Sequence, residues 1–380
     1  MMTPCESGYR RVYEYTDGYW KESHRMLSGV WGNSKGRHGA GKQSGFINAN
    51  IDGKEVLLVT SLTEAVQGTK IFNGLHLWVS DGNRVVHVGL ISPPGRSVGS
   101  STLLYARGNL FSLHVEDGEK GSAVVLTHLS EELTRVKRLL SEWKTLGNKY
   151  SASCTRSAAN PGLDGECGPA VPTDGLVSVF AGKHKDNAWQ DSYGCSSAVL
   201  KNAIPVTNGF KFGGHDAGAF LPVSYGVQHQ PYHFAHHNFT LLATVTMDGD
   251  KKDHGTVLGV RVRLPDKLKK RFGLGHNHGR WIALYGKNRV SSGVSWSAKQ
   301  AYQVALVVQN GMGTIYIDQK PLKGAGGRVV NFAAKEEIVG FYFGAGVYGT
   351  LNRGKKTNLT VTNVFLYNRP LSPAELPAPS

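Results

Sequence analysis

Cysteine is scarce in this sequence, and no two cysteines have the spacing of a metal or redox motif. The four cysteines of the 380-residue chain stand at positions 5, 154, 167 and 195. The absence of any CxxC pair excludes the common zinc ribbons and thioredoxin-like motifs. Cys154 and Cys167 bracket the loop TRSAANPGLDGE. We expect them to form a disulfide in an oxidising compartment, where closing such a loop stabilises a fold by about 3 kcal/mol.

Long hydrophobic runs are also missing. No stretch approaches the roughly 18 consecutive apolar residues that span a bilayer. Met1 leads directly into TPCESGYRRVYEY, without the apolar core of a signal peptide. We therefore predict neither a transmembrane segment nor a signal peptide in this chain.

Acidic residues are too few to balance the basic ones. The sequence has 43 Lys and Arg against 28 Asp and Glu, a formal net charge of +15 at pH 7. This excess favours anionic partners such as sialylated or sulfated glycans, anionic lipid or nucleic acid. The basic clusters, including residues 267–271, are not interleaved with the aromatic residues that single-strand nucleic-acid grooves use. We therefore predict no nucleic-acid partner.

The composition indicates an all-β protein. Glycine (48) and proline (15) are more frequent than helical bundles tolerate, and the apolar residues form short runs separated by turn residues. The first 128 residues contain eight strand-like segments: RVYEY, GFINANI, EVLLVTSL, LHLWVS, RVVHVGLI, STLLYA, LFSLHV and SAVVLTHL. Successive antiparallel meanders of this kind build propeller blades or sandwiches.

A helix interrupts the strands. Apolar residues recur at intervals of three and four between Ser130 and Gly147, at Leu133, Val136, Leu139, Leu140 and Trp143. Ser130 can cap its N-terminus and Gly147 can end it. The polar residues 148–173 then mark a linker, after which strands resume from LVSVF to LTVTNVFLYN. In this second region GTIYIDQKPL predicts a hairpin with its turn at residues 318–320, and the alternation favours a jelly-roll sandwich.

The segment from Leu359 to Leu371, LTVTNVFLYNRPL, resembles the signature VTVxNVFLYNRPL of the trypanosome trans-sialidase superfamily, from which it departs at Leu359. Other segments are similar to the same family in the same order: RRVYE, LSGVWGN, LHLWVSD, SSTLLY, LTRVKRLLSEWK, CGPAV, DGLVSVF, YHFAHHNFTLLATV and YIDQKPL. The similarity extends over nearly the whole chain. In addition, YTDGYW at positions 15–20 resembles a shortened Asp box, the turn that recurs among sialidase blades.

The resemblance implies the C-terminal part of a six-bladed sialidase β-propeller, a long helix and a concanavalin-A-like or laminin-G-like β-sandwich. We therefore expect a partial propeller at 1–128, a linking helix at 129–147, a disulfide-tied linker at 148–173, a lectin domain at 174–371 and a tail at 372–380. In the family the propeller begins upstream of anything matching residues 1–20, and a lipid-anchor signal would follow Ser380. The resemblance thus predicts a fragment, or a product lacking its first half, of a cell-surface protein.

The resemblance also assigns catalytic positions. Sialidases use a tyrosine nucleophile activated by a glutamate, an aspartate acid and an arginine triad. Ser100 occupies the nucleophile position, Val115 the glutamate position, and the third arginine falls near Phe72, where Lys70 is the nearest cation. Glu116 is adjacent to Val115, but a one-residue offset in a strand turns the side chain to the opposite face. The family's acid and first arginine would precede Met1.

Two groups of histidines, at 229, 233, 236 and 237 and at 276 and 278, could suggest a metal site. Residues 233–237, however, are predicted to lie on a strand, where neighbouring side chains diverge. We therefore predict no metal site and no cofactor. Asn238 and Asn358 open N-x-T sequons and are the expected glycosylation sites of a secreted chain.

These observations predict a catalytically inactive surface glycoprotein that binds host sialylated or sulfated glycans and glycoproteins. The alternative is an exo-alpha-sialidase or trans-sialidase, as the ancestry implies. Within the signature, Asn363, Phe365, Tyr367, Asn368 and Arg369 are the candidate binding residues. Of these, Tyr367, Asn368 and Arg369 are expected to be exposed, while Val361, Val364, Phe365 and Leu366 could equally form a half-buried or core strand.

Overall fold

The computed structural model describes residues 2–4, 10–22, 44–67, 70–118, 121–151, 169–223, 232–264, 267–286, 288–322, 328–329, 337–345 and 356–378. They form two compact units, one made of residues 1–145 with 228–233 and the other of residues 146–227 with 234–380. Each unit is built almost wholly of antiparallel strands.

The first unit contains ten strands and most of one helix. The strands are β1 (Met2–Pro4), β2 (Arg10–Thr16), β3 (Tyr19–Glu22), β4 (Phe46–Ile51), β5 (Lys54–Gln67), β6 (Lys70–Ser80), β7 (Val85–Leu90), β8 (Ser97–Ala106), β9 (Asn109–Gly118) and β10 (Gly121–His128). They pair as three separate antiparallel sheets, β1-β2-β3, β4-β5-β6-β7 and β10-β9-β8. The strand segments predicted from RVYEY to SAVVLTHL are thereby confirmed.

The shortened Asp box is a two-residue hairpin between β2 and β3. Asp17 and Gly18 form its turn, both with left-handed backbone, at φ values of 56° and 84°. Two consecutive left-handed residues are typical of the tight turn that matches the twist of paired strands. The segment therefore acts locally as a turn.

The helix α1 (Ser130–Tyr150) begins where its periodicity predicts. Leu133, Val136, Leu140 and Trp143 are buried along one face, while Leu139 is half-buried. Gly147 does not end the helix, which continues for three more residues. The extension positions Tyr150, which is buried with its ring 5.3 Å from that of Phe365 in an edge-on contact. Tertiary packing thus outweighs the low helix propensity of a single glycine.

A charge cluster holds the helix against the four-stranded sheet. Asp81 accepts from Arg84 at 2.7 Å and from Lys54 at 3.2 Å. Both cations also lie over the ring of Trp143, at 5.7 and 5.4 Å from its centroid. Burial raises the pKa of Asp81, but attraction to the two cations and their hydrogen bonds outweighs it and holds the pKa below its usual value.

The second unit contains the remaining strands. They are β11 (Leu176–Phe180), β12 (His184–Lys185), β13 (Ala188–Gln190), β14 (Ser197–Lys201), β15 (Ala203–Val206), β16 (Gly209–His215), β17 (Gly218–Pro222), β18 (Phe239–Met247), β19 (His254–Leu264), β20 (Lys267–Asn277), β21 (Arg280–Tyr285), β22 (Asn288–Ser295), β23 (Ala301–Gln309), β24 (Met312–Ile317), β25 (Lys320–Pro321), β26 (Arg328–Val329), β27 (Glu337–Gly344) and β28 (Lys356–Tyr367). Short 3-10 helices span His233–His236 and Pro373–Glu375.

These strands form two nine-stranded sheets. One has the order β15-β16-β28-β18-β23-β24-β25, with β11 paired to β28 and β26 to β24. The other has the order β12-β13-β14-β17-β27-β19-β20-β21-β22. Aromatic pairs from opposite sheets meet between them: Trp189 with Phe210, Phe239 with Phe341, and Trp281 with Tyr302. Such face-to-face packing of two inner faces is a β-sandwich.

Two local predictions in this unit need correction or refinement. His233–His236 is a 3-10 helix and not a strand, so its side chains follow a turn of three residues instead of alternating across a sheet. In the β24–β25 hairpin, Asp318 and Gln319 form the turn with positive φ, and Lys320 already belongs to β25.

The signature strand β28 lies at the centre of its sheet. Its first half pairs with β16 on one side and β18 on the other. Its second half pairs with β11 and β18. The backbones are so close that a Cβ atom added at Gly209 in β16 would lie within 3 Å of Thr362 Cα and even closer to the carbonyl oxygen of Val361.

We expect Gly209→Ala to destabilise the second unit by about 2–3 kcal/mol, because the added methyl group collides with the rigid backbone of β28. The matched control is Gly213→Ala in the same strand, where the nearest atom to the added Cβ is Asn358 Oδ1 at 3.7 Å. Chemical denaturation of both variants measures the difference. Equal stabilities would contradict the close approach of β16 and β28.

Candidate functional site

The positions that the resemblance assigns to the sialidase nucleophile and its glutamate lie next to each other. The pairing of β8 and β9 shifts between Val98↔Glu116 and Ser101↔His114. Gly99 and Ser100 therefore oppose the single residue Val115, which is the arrangement of a β-bulge. Ser100 is exposed and Val115 is half-buried.

Glu116 faces away from this bulge. Its Oε1 lies 3.3 Å from Nε2 of His114, and Nδ1 of His114 lies 3.4 Å from the hydroxyl of Ser112. The three side chains are buried in a row on one face of β9, whereas Val115 belongs to the other face. The Glu116 carboxylate is thus separated from Ser100 by the sheet.

The remaining family positions in the first unit lie in β6 and near the turn between β8 and β9. Phe72 and Lys70 lie in β6, but their side chains fall outside the described part of the structure. Tyr105 pairs with Leu110 near the β8–β9 turn and is half-buried.

The signature strand does not expose the side chains that we expected. Tyr367 is fully buried, so the prediction that it is an exposed contact is wrong. Phe365 is 2% exposed and contacts Tyr150. The cause is the central position of β28, which has neighbouring strands on both edges and the sandwich core beneath it. Burial also raises the pKa of Tyr367 well above its usual value.

Asn363 forms a bulge in the same strand. Its φ is 49°, and the pairing of β28 with β18 shifts around it. Its backbone N–H turns away from β18 and donates to the carbonyl oxygen of Asn208 at 3.0 Å. Asparagine tolerates this left-handed conformation better than most residues. Asn363 is half-buried, and its left-handed conformation allows its backbone N–H to bond to Asn208.

Arg369 follows the strand and ties down the segment after it. Its Nη2 lies 2.7 Å from Oε1 of Glu375, and its Nε lies 3.1 Å from Oδ2 of Asp174. The Nε also donates to the carbonyl oxygen of Asp174 at 3.0 Å. Thr240 bonds on both sides of Pro370, because its hydroxyl donates to the Arg369 carbonyl and accepts from the Leu371 N–H. Asn368 and Arg369 are half-buried.

This tied-down segment forms one wall of a groove of about 510 Å³, which we call the C-terminal groove. Its floor is the outer face of β23 and β24, and its lining comprises Val307, Gln309, Asn310, Met312, Thr314, Tyr316, Pro370, Leu371, Ser372, Pro373 and Glu375. Amide, hydroxyl and phenol groups alternate there with apolar surface. No local sequence pattern predicts this groove, because its two walls are far apart along the chain.

The histidines considered for metal binding do not converge. His236 accepts from the backbone N–H of Ile338 through Nε2 at 3.1 Å. His276 lies against Trp296, and burial lowers the pKa of its imidazole to about 4. His229 and the side chain of His233 lie outside the described residues. Within the described ranges, no three His, Cys, Asp or Glu side chains are grouped as a metal site.

Several further predictions fall wholly or partly outside the described residues. They include the disulfide of Cys154 with Cys167 and, in the basic cluster at 267–271, the side chains of Lys269, Lys270 and Arg271. Cys195 is described, and its thiol lies 3.7 Å from the carbonyl oxygen of Val177. Of the sequon asparagines, Asn358 is exposed and Asn238 is half-buried. In the described part of the chain, no helix has the length and apolar character needed to cross a membrane.

Small blade-like sheets followed by a β-sandwich define a propeller-and-lectin type of protein, and the comparisons agree. Residues 172–374 match the model of the trans-sialidase C-terminal domain, and residues 1–126 match that of a BNR repeat-like domain. The first match alone covers more than half of the chain. The chain belongs to the trans-sialidase family.

Solved structures show the same fold. The chain is 35% identical to Trypanosoma rangeli sialidase in complex with sialic acid, with a TM-score of 0.87, over 98% of this chain and 59% of that one. The chain is 34% identical to the same sialidase in its complex with 2,3-difluorosialic acid, a covalent intermediate, and the TM-score is 0.86. The first unit is therefore a sialidase propeller-like fragment, and the second is the lectin-like sandwich of trypanosome sialidases.

Two curated relatives are longer than this chain. A Trypanosoma cruzi sialidase is 32% identical over 95% of the chain but only 31% of its own length. Sialidase 85-1.1 of Trypanosoma cruzi is 30% identical over the whole chain and 50% of its own length. The chain thus spans a third to a half of these relatives.

The Arg369–Glu375 pair is expected to make the stability of the fold depend on pH. The hydrogen bond from Arg369 and those from Ser372 lower the pKa of Glu375 to about 2. Because the folded pKa lies below the unfolded value, this group stabilises the fold above pH 4.5 and loses its contribution as the pH falls towards 2. Between pH 4.5 and pH 2, the free energy of unfolding of Glu375→Gln should therefore fall by roughly 1 kcal/mol less than that of the wild type, a modest difference because solvent screens a partly exposed pair.

Urea unfolding of the wild type and of Glu375→Gln between pH 2 and 6 measures this difference. Glu131→Gln is the matched control, because its carboxylate is 82% exposed beside Arg135. A constant gap between wild type and Glu375→Gln over this range would contradict the prediction.

Proposed function

We propose that this chain binds sialylated or sulfated glycans, and glycoproteins that carry them, without hydrolysing sialosides. The observation that carries the loss of catalysis is the bulge between β8 and β9. The nucleophile and glutamate positions implied by the family meet there, and they are occupied by Ser100 and Val115. Val115, at the position of the family's glutamate, cannot accept a proton from the hydroxyl of Ser100.

Glu116 does not substitute for the missing glutamate. Its carboxylate lies on the opposite face of β9 and pairs with His114. Turning it towards Ser100 would require β9 to change register by one residue, which would expose Ser112 and His114 and bury their outward neighbours. The fold therefore opposes the rearrangement that catalysis would need.

Among the described residues, the C-terminal groove offers a binding surface beside the signature. Gln309, Asn310 and Thr314 offer amide and hydroxyl groups, and Tyr316 offers an aromatic ring. Sugar binding uses this mixture of hydrogen-bonding groups and flat apolar surface. We restrict the signature's own contacts to Asn368 and Arg369, because Phe365 and Tyr367 are buried.

Arg369 acts mainly on the groove wall in this proposal. Asp174 and Glu375 already engage its guanidinium, so Arg369 positions Ser372 and Glu375 and does not itself grip a ligand carboxylate. The preference for acidic glycans then comes from the net charge of +15, which raises encounter rates with anions.

The second candidate is exo-alpha-sialidase or trans-sialidase activity. It is favoured by family membership and by the similarity to Trypanosoma rangeli sialidase in complex with sialic acid. We further propose a cell-surface location, with lipid-anchor attachment and glycans at Asn238 and Asn358. The exposed side chain of Asn358 supports its modification.

We expect the purified chain to release no sialic acid from a fluorogenic sialoside. Ser100→Tyr, Val115→Glu and the double variant should also remain inactive, because they do not restore the arginine that the family places near Phe72 to hold the substrate carboxylate, and positioning is worth several kcal/mol of the barrier. Released sialic acid is measured by fluorescence and chromatography. Turnover by the wild type that survives Ser100→Ala and Glu116→Gln would establish activity by another mechanism and overturn the proposal.

We expect saturable binding of the chain to sulfated and sialylated glycans that weakens as salt rises from 0.05 to 0.5 M, because screening shortens the range of exposed charges to about 10 Å at 0.1 M. An immobilised glycan array measures it. Tyr316→Ala should reduce binding several-fold, while Tyr105→Ala, on the other unit, serves as the matched control. Binding that is unaffected by both salt and Tyr316→Ala would contradict the assignment to the groove.

A further inference from the structure

Two histidines on neighbouring strands of the first unit are in direct contact. His76 is in β6 and His87 is in β7, and Nδ1 of His76 lies 2.7 Å from Nε2 of His87. Their ring centroids are 4.9 Å apart and the rings are tilted by 41°. The pairing of β6 with β7 shifts between Leu77 and Trp78, and this irregularity brings the two rings together diagonally across the strands.

The backbone leaves room for this arrangement. A Cβ atom added at Gly74 would lie 3.3 Å from Nε2 of His76 and 2.9 Å from a methyl group of Leu90. The glycine therefore keeps space open beside the His76 ring. His76 lies in the interior strand β6 of the four-stranded sheet and His87 in its edge strand β7, and the antiparallel pairing of the two strands fixes both Cα positions.

We propose that His76 and His87 form a two-imidazole site for a divalent transition-metal ion, Cu²⁺ or Zn²⁺. Imidazole nitrogen is a preferred ligand of both ions, and Cu²⁺ binds more tightly than Zn²⁺ at such sites. With metal–nitrogen distances of about 2.0–2.1 Å, two ligands at right-angled or tetrahedral positions stand roughly 2.8–3.4 Å apart. The present separation of 2.7 Å therefore needs to open by about 0.1–0.7 Å.

Binding requires no change in the number of protons on the pair. One of the two facing nitrogens now donates its hydrogen to the other. When the metal enters, that hydrogen moves to the outer nitrogen of the donating ring, and both facing nitrogens then present lone pairs. Water completes the coordination shell.

Trp78 provides a reporter for the site. Its ring centroid lies 4.9 Å from that of His87, and its indole N–H donates to Ser61 at 2.9 Å. The indole is 7% exposed and therefore fixed in place. Paramagnetic Cu²⁺ held by the two histidines would lie close enough to quench Trp78 fluorescence, whereas closed-shell Zn²⁺ would not.

The test is a Cu²⁺ titration of the untagged full chain at pH 7.4, followed by tryptophan fluorescence. We expect saturable quenching with one equivalent of metal and micromolar affinity. His76→Ala and His87→Ala should each weaken it at least tenfold, because a single imidazole cannot chelate. Zn²⁺ should compete with Cu²⁺ and raise the Tm of the wild type but not that of the double variant.

The matched control is His128→Ala. His128 is also exposed on a strand of the first unit, where it stacks on Phe111 and bonds to Asn109. Its removal should leave the quenching unchanged. Trp78→Phe should abolish most of the quenching while retaining Zn²⁺ stabilisation, which separates loss of the reporter from loss of the site. Equal quenching of the wild type and the folded double variant, or equal loss in His128→Ala, would overturn the proposal.

Discussion

The pairing of β28 with three other strands is the constraint on which the second unit depends. This strand provides hydrogen bonds to β16, β18 and β11, and it buries side chains on both faces. Its most distinctive residues are therefore buried in the fold, and we propose that ligand contacts lie in the segment beyond Tyr367. Arg369 holds that segment against Asp174 and Glu375, and the C-terminal groove exists because of this attachment.

In the first unit, too, the backbone fold does not depend on the side chains at the family's catalytic positions. The bulge at Gly99 and Ser100 is defined by backbone hydrogen bonds, which do not depend on the side chain at position 100. A sialidase-like backbone therefore does not determine which side chains stand at the positions that the resemblance assigns to the reacting groups. Family membership follows from the backbone and the motifs, whereas function has to be argued from the side chains at each site.

Strand positions could be predicted from the sequence where apolar residues alternate, as in β5, β9, β18 and β23. The strands β20 and β22 were missed, because KLKKRFGLGHN and NRVSSGVS are polar or glycine-rich and owe their structure to their neighbours. The burial of Tyr367 could not be predicted, since alternation does not show how many strands flank a strand. The contact of His76 with His87 depends on a register shift that no local pattern reveals.

The pairing of β11 with β28 also governs when the sandwich can form during synthesis. Leu176 and Tyr367, which face each other across these strands, are about 190 positions apart along the chain. Until β28 leaves the ribosome, β16 and β18 lack the strand that joins them. At about 5–20 residues per second, the nascent chain carries these open edges for on the order of ten seconds after β18 has been made. Synthesis that stops before β28 would therefore yield two half-sheets with unpaired edges, which favour aggregation, and not a smaller folded domain.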